Sequence, residues 1–249
     1  MLGFSKGKME TNQIDWELYA VTRFLGRNRL LFEHHQEVLR DFLHFFSHLS
    51  TELHIFDVGC SSGFFLVILR ELGFEKIEGT DISETFVSHA RTKGLQCRTA
   101  NVLNGFIPEE KKNKADVVLL MDILEHLPEP KRALENCRTL LKKDGIIYIT
   151  VPIYDSLTER LIRTIRKKTR LQQAKEHDPT HIQAFSETDF YNLLKEADFI
   201  MVESKRLFCP IPIISKRKIR DFINLLLPDF WKGNFLRVVV RLQQPVPRA

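Results

Sequence analysis

Ile55-Phe56-Asp57-Val58-Gly59-Cys60-Ser61-Ser62-Gly63-Phe64-Phe65 joins an apolar strand to an apolar helix through an acidic, glycine-punctuated turn. Ile55, Phe56 and Val58 carry the chain to the carboxyl edge of a sheet. Gly59 and Gly63 remove side chains where the backbone must turn tightly and admit a ligand. The stretch therefore reads as a cofactor loop and marks where a nucleotide-like ligand would sit.

Outward from this loop, short β-rich runs alternate with helical ones. Strands are predicted at 53–58, 75–80, 95–100, 116–121 and 145–151, with helices at 63–72, 83–93 and 130–141. Such alternation means parallel strands joined by crossover helices, an α/β fold. Val117-Val118-Leu119-Leu120 and Ile146-Ile147-Tyr148-Ile149 are continuously apolar, as expected when both faces of a sheet are covered. Residues 15–49 carry apolar positions at helical spacing and predict N-terminal helices. After Pro152 a basic helical segment with Arg160, Arg163, Arg166, Lys167, Lys168 and Arg170 reads as an insertion. A helix is then expected from Ser186 to Ala197, with Ser186 as N-cap and Asp189 at N3. Phe199 to Leu207 and Phe235 to Leu242 can pair as strands, separated by a second insertion at 209–234.

The 249 residues, 43% hydrophobic, read as one domain: an N-terminal extension (1–50), a cofactor-binding half (51–152), an insertion or lid (153–185) and a C-terminal helix and strand pair (186–249). A formal charge of +5, from 37 basic and 32 acidic residues, is too small and dispersed to imply nucleic acid. Cys60, Cys97, Cys137 and Cys209 form no C-x-x-C pair, so reduced thiols, a cytoplasmic location and neither zinc nor disulfides are expected. Residues 1–15 lack a signal-peptide core, and no window offers the roughly 18 uncharged residues that span a bilayer.

Asp57-x-Gly59-x-x-x-Gly63 departs from the dinucleotide fingerprint, because a carboxylate stands where the first glycine would admit a pyrophosphate. A carboxylate repels phosphate and favours a cation. S-adenosylmethionine meets that requirement: it has no phosphate and carries an ammonium beside a sulfonium. Its own carboxylate can approach the amides that open helix 63–72. Asp81, ending the second strand, is placed to accept both ribose hydroxyls.

With Asn101-Val102 after the third strand, Ala115 to Leu127 around the fourth and Leu140 to Pro152 around the fifth, these residues resemble the class I S-adenosylmethionine-dependent methyltransferases over roughly residues 50–207. Met121-Asp122-Ile123-Leu124-Glu125-His126-Leu127 and Asp178-Pro179-Thr180-His181-Ile182 resemble the small-molecule branch that includes ubiquinone-type and sugar-modifying enzymes. The likeness implies a Rossmann-like seven-stranded sheet of order 3-2-1-4-5-7-6, its last strand antiparallel. It implies that Asp57, Gly59, Cys60, Ser61 and Gly63 surround the methionine end, that Asp81 holds the ribose and that Ile82 stacks on adenine. Asn101, where the family usually has an aspartate, and Val102 would lie near the adenine, and Met121 and Asp122 near the methyl group.

Methyl transfer is an in-line displacement that needs alignment, exclusion of water and, for a hydroxyl acceptor, removal of a proton. His126 and His181 are the candidate bases, although a histidine in a Leu-Glu-His-Leu turn also serves as a structural group. The resemblance adds one further option, a divalent ion on Asp122, Glu125 and His126, and the reading adopted here assigns no metal.

The expected reaction is methylation, at oxygen, of a quinone-like, phenolic or sugar-derived small molecule. A cofactor-binding scaffold without catalysis and a nicotinamide-dependent oxidoreductase are the alternatives. The basic run 160–170 would suit an anionic acceptor, and 216–232, basic then densely apolar, could rest on a membrane beside a lipid-linked one, form a lid or make a dimer contact. A monomer or homodimer is expected. No motif for flipped bases appears, which disfavours a nucleic-acid substrate.

Overall fold

The computed structural model describes residues 33–104, 111–207 and 235–243. The expected helices before residue 33, Cys209, the insertion at 209–234 and its segment 216–232 lie outside these. In chain order the elements are α1 (Glu33–Phe46), β1 (Ile55–Val58), α2 (Phe64–Glu71), β2 (Ile77–Asp81), α3 (Glu84–Thr92), β3 (Cys97–Thr99), β4 (Ala115–Met121), a 3-10 turn (Leu124–His126), α4 (Pro130–Arg138), β5 (Leu141–Pro152), α5 (Leu157–Arg166), α6 (Arg170–His177), α7 (Glu187–Glu196), β6 (Phe199–Leu207) and β7 (Phe235–Leu242). They form one seven-stranded sheet of order β3-β2-β1-β4-β5-β7-β6. Strands β1 to β5 run parallel, and β7 is antiparallel to both β5 and β6.

Side chains alternate along each strand and divide the core into two layers. Phe56, Val118, Leu120, Ile147 and Ile149 pack with Leu134 of α4 and Phe190 and Leu194 of α7. Ile55, Val117, Leu119 and Tyr148 face the other way, against Phe42 and Phe46 of α1, Leu66 and Leu69 of α2 and Val87 of α3. Helices therefore cover both faces, which explains the unbroken apolar strands.

Helix starts follow local chemistry. The Ser83 and Ser156 hydroxyls accept from the Phe86 and Glu159 amides. Ser186 and Asp189 form the reciprocal box expected from their spacing. The boundary that differs is the α4–β5 junction: α4 stops at Arg138, and β5 starts at Leu141, where Ala115↔Leu141 pairs before an irregularity in the ladder. Leu140 and Leu141, which complete a helical apolar pattern in the sequence, are instead buried in the sheet layer. The 153–185 insertion is two helices; Lys167 separates them with φ 51°.

This topology collects the ends of β1, β2, β3 and β4 at one carboxyl edge, where ligands of open α/β sheets bind. Two surface depressions, about 520 and 280 Å³ and lined by Lys112, Arg138 and Leu242 and by His54, Lys76 and Lys111, lie at the opposite, amino ends of the strands. No helix among the described residues is long and apolar enough to cross a membrane.

Candidate active site

Loop 59–63 is folded back over the tip of β2. The Gly59 and Cys60 amides donate to Thr80 O at 2.7 and 2.9 Å. Gly59, Ser61 and Gly63 all have positive φ, at 79°, 48° and 78°. The two glycines have a use beyond admitting a ligand. A Cβ on Gly59 would stand 2.5 Å from Ile123 Cδ1, and one on Gly63 would collide with Leu95, so neighbouring side chains fill the space the glycines leave. Ile123 thereby locks this loop to the turn that follows β4.

Asp81 is the hub of the loop. Its Oδ2 accepts the Ser61 amide at 2.8 Å and its Oδ1 the Ser83 amide at 2.9 Å. Ile82, beside it, is 41% exposed, an unusual state for isoleucine and a ready flat surface for an aromatic base.

Asp57 is 1% exposed, and its Oδ1 is buried without a hydrogen-bond partner. Burial first, and then negative charge on Cys97 and Asp81, pushes its carboxyl well above the usual range. An orphaned buried carboxyl next to a second acid is an arrangement a cation would relieve. Ser61 Oγ, also buried and unpartnered, adds a polar group at the same loop.

The remaining expected cofactor residues divide. Asn101 Oδ1 accepts the Leu103 amide at 2.9 Å, so this residue, expected near the adenine, closes a local turn with its side-chain oxygen. Val102 is packed in the core, and its carbonyl is held by Asn136 at 2.6 Å. Cys60 turns its side chain into the sheet, leaving its backbone to the loop. Met121 is buried. Asp122, at φ 53°, accepts from Thr150 Oγ1 at 2.7 Å; burial, opposed by that hydroxyl, pushes its pKa up to about 6.

The two histidines, 55 positions apart in sequence, meet here: their ring centroids are 4.8 Å apart. The connection is built by backbone, since the Ile182 and Gln183 amides both donate to Glu125 O, at 3.0 and 2.9 Å. His126 Nδ1 lies 3.2 Å from Thr180 O and 3.1 Å from Thr180 Oγ1. His181 Nδ1 lies 3.1 Å from Tyr154 Oη. Glu125 Oε1 is 3.9 Å from His126 Nε2, while Glu125 Oε2 is buried without a partner. Burial, then the charges of Asp122 and Asp178, pushes the Glu125 carboxyl well above its usual range. Ligand atoms of Glu125, His126 and His181 lie within 4.8 Å of one another. This trio, and not Asp122, Glu125 and His126, is the set in which oxygen and imidazole donors converge. Tyr154 is a part of the site that no sequence signal announced, and Thr180, within the segment 178–182, takes a role there only through its contact with His126.

Residues 31–204 match the model of a family described as a methyltransferase domain. The chain belongs to that family. A 105-residue stretch is 30% identical to the ubiquinone biosynthesis O-methyltransferase of Coxiella burnetii, covering 39% of this chain and 42% of that protein. The chain thus matches well under half the length of this relative. Its fold is that of the S-adenosylmethionine-dependent methyltransferase from Archaeoglobus fulgidus (TM-score 0.56, 21% identity, 84% and 93% of the two chains). It is also that of the Haloferax volcanii methyltransferase seen with its Trm112 activator (0.64, 17%, 94% and 100%). For a member of the methyltransferase family, the methyl donor is S-adenosylmethionine, and the cationic requirement of Asp57 accords with it. Asp81→Ala should weaken binding of S-adenosylhomocysteine by about 1.5–3 kcal/mol, the worth of a charge-assisted hydrogen-bond pair. Titration calorimetry that shows unchanged affinity refutes the ribose assignment.

Proposed function

We propose that this protein methylates a hydroxyl of a small-molecule acceptor, quinone-like, phenolic or sugar-derived, with His126 as general base. The observation that carries this reading is the Glu125–His126–His181 cluster at the carboxyl edge, with Glu125 and His181 buried and His126 partly exposed, locked to the cofactor loop through Ile123. The cofactor supplies an activated methyl group on a sulfonium that is already a good leaving group. Loop 59–63 and Asp81 hold it, and the 153–185 insertion supplies His181 and Tyr154 against the same edge.

A carbonyl can only accept, so the contact to Thr180 O puts the His126 proton on Nδ1 and its lone pair on Nε2, the nitrogen facing Glu125. That tautomer is the one able to take a hydroxyl proton. The basic run is a weaker support for an anionic acceptor: Arg166 and Lys168 pair with Glu176, Arg170 with Asp189, and Arg163 holds Tyr154 O. Among these, the chain's own groups already engage the positive charge.

The test is titration with S-adenosylmethionine, S-adenosylhomocysteine and NAD, followed by turnover on a panel of phenols, quinols and sugars. Methylated product from a phenol or sugar hydroxyl supports the reading. Cofactor binding without turnover on the panel favours a scaffold, and binding of NAD without S-adenosylhomocysteine removes the reading altogether. The same titration reports on Asp57. Its raised pKa means that it holds its proton to higher pH than an ordinary aspartate, and a neighbouring ammonium lowers that pKa, so cofactor binding should release a proton in the pH window between the two values. The binding enthalpy should then vary with the ionisation enthalpy of the buffer; identical values in phosphate and Tris would contradict it.

A further inference from the structure

We propose that Cys60 and Cys97 are a disulfide-forming pair, and that their oxidation by a peroxide distorts the cofactor loop and weakens S-adenosylmethionine binding. Their sulfurs are 3.8 Å apart, in contact, although the residues come from different elements: Cys60 from the loop after β1, Cys97 from the first position of β3. Strand β2 runs between β1 and β3, and the contact is made across Gly79, the register partner of both Asp57 and Cys97. A Cβ at Gly79 would stand 2.8 Å from Cys60 Cβ and 2.9 Å from its Sγ, so only a glycine lets the two thiols meet over the strand. A disulfide needs a sulfur separation of about 2.05 Å. The remaining approach is less than about 2 Å, within reach of side-chain rotation together with a small shift of the loop.

That shift falls on the cofactor site. The Cys60 amide holds Thr80 O, and the next amide, that of Ser61, holds Asp81 Oδ2. Drawing Cys60 toward β3 carries Ser61 with it and disturbs the carboxylate assigned to the ribose. Both thiols are nearly buried, 5% and 8% exposed, and Cys60 belongs to the loop, so a bound cofactor stands between them and solvent.

The thiols are not equivalent. Hydrogen bonding from Cys60 and the positive charge of Arg91, against the effect of burial, lower the Cys97 thiol from its ordinary value, whereas Cys60 is raised. Cys97 is therefore the first nucleophile. Its thiolate attacks a peroxide oxygen, the O–O bond breaks, and the leaving hydroxide takes a proton to become water. Cys60 sulfur then attacks the Cys97 sulfenic acid, forming the S–S bond and releasing a second water. In sum, two thiols and one hydrogen peroxide give one disulfide and two waters.

This inference rests on the assignment of loop 59–63 to the cofactor. The full chain, reduced, is first titrated with S-adenosylhomocysteine. It is then treated with hydrogen peroxide with and without that ligand, alkylated and mapped by mass spectrometry of unreduced peptides. Expected are a Cys60–Cys97 cross-linked peptide, slower cross-linking when the ligand is bound, and an affinity lowered by about ten-fold or more that dithiothreitol restores. Cys97→Ala should keep its affinity through the same treatment. No cross-linked peptide, or equal loss of affinity in Cys97→Ala, overturns the proposal. Cross-linking with affinity unchanged refutes the coupling alone, and a reduced protein that does not bind S-adenosylhomocysteine refutes the cofactor assignment with it.

Discussion

His126→Ala is expected to lower kcat by about 10²–10⁴-fold, the usual worth of a positioned general base, while leaving S-adenosylhomocysteine affinity unchanged. The side chain lies in the turn after β4, where Nδ1 contacts Thr180, whereas loop 59–63 is held to Asp81 by the Ser61 amide, a bond between other residues, so the cofactor contacts should survive its loss. His126→Gln should not rescue turnover, since an amide cannot take up the proton at neutral pH. His181→Ala should lower kcat less, because that ring is bonded to Tyr154, whose hydroxyl is kept protonated chiefly by burial. The pH dependence of kcat should differ between wild type and His126→Ala, since only the wild type carries the base. Steady-state turnover across pH, with calorimetry on the same preparations, decides the matter. Full activity in His126→Ala removes it from the reaction.

Asp41→Ala is expected to destabilise the fold by about 3–5 kcal/mol, the cost of removing one partner of a buried ion pair. Asp41 and Arg237 are both buried, with Asp41 Oδ2 accepting Arg237 Nε at 2.8 Å and the Tyr148 hydroxyl at 2.9 Å. Removing the carboxylate leaves the buried guanidinium, whose Nη1 already lacks a partner, with the half-exposed Glu203 as its remaining acid. Burial alone would raise the pKa of Asp41, but hydrogen bonds and charge from Arg237 and Lys205 outweigh it and hold the pKa low. A depressed folded-state pKa means that this stabilisation is present above the ordinary aspartate range and is lost as pH falls through the folded value. Chemical denaturation at neutral pH, compared with Asp41→Asn and with Arg237→Met, measures the effect. A loss under about 1 kcal/mol for Asp41→Ala contradicts the account.

The strands and the cofactor loop were legible because their signals are local. A run such as Phe199 to Leu207 or Phe235 to Leu242 needs only its own composition to be read, and Ser186 with Asp189 announces a helix start over four residues. The Gly59 and Gly63 turn was found for a partly different reason than the one it serves, since packing by Ile123 and Leu95 was not readable from spacing. What stayed hidden is pairwise and remote. Nothing in sequence periodicity brings Tyr154 to His181, Glu125 beside His181, or Asp41 to Arg237. Leu140 and Leu141 misled because an apolar pair fits the end of a helix as well as the start of a strand, and pairing with Ala115 decided for the strand.

The last strand in sequence is an inner strand of the finished sheet, lying between β5 and β6. Among the described residues β6 pairs with no strand but β7, so that pairing waits until residues 235–242 arrive, and Arg237 then closes onto a residue 196 positions earlier. During synthesis the parallel half, β1 to β5, can assemble from neighbouring segments while the outer edge stays open. Completion is therefore a late, long-range event. Any truncation that removes β7 leaves two strands with bare edges and takes from Asp41 its one buried base, leaving Lys205.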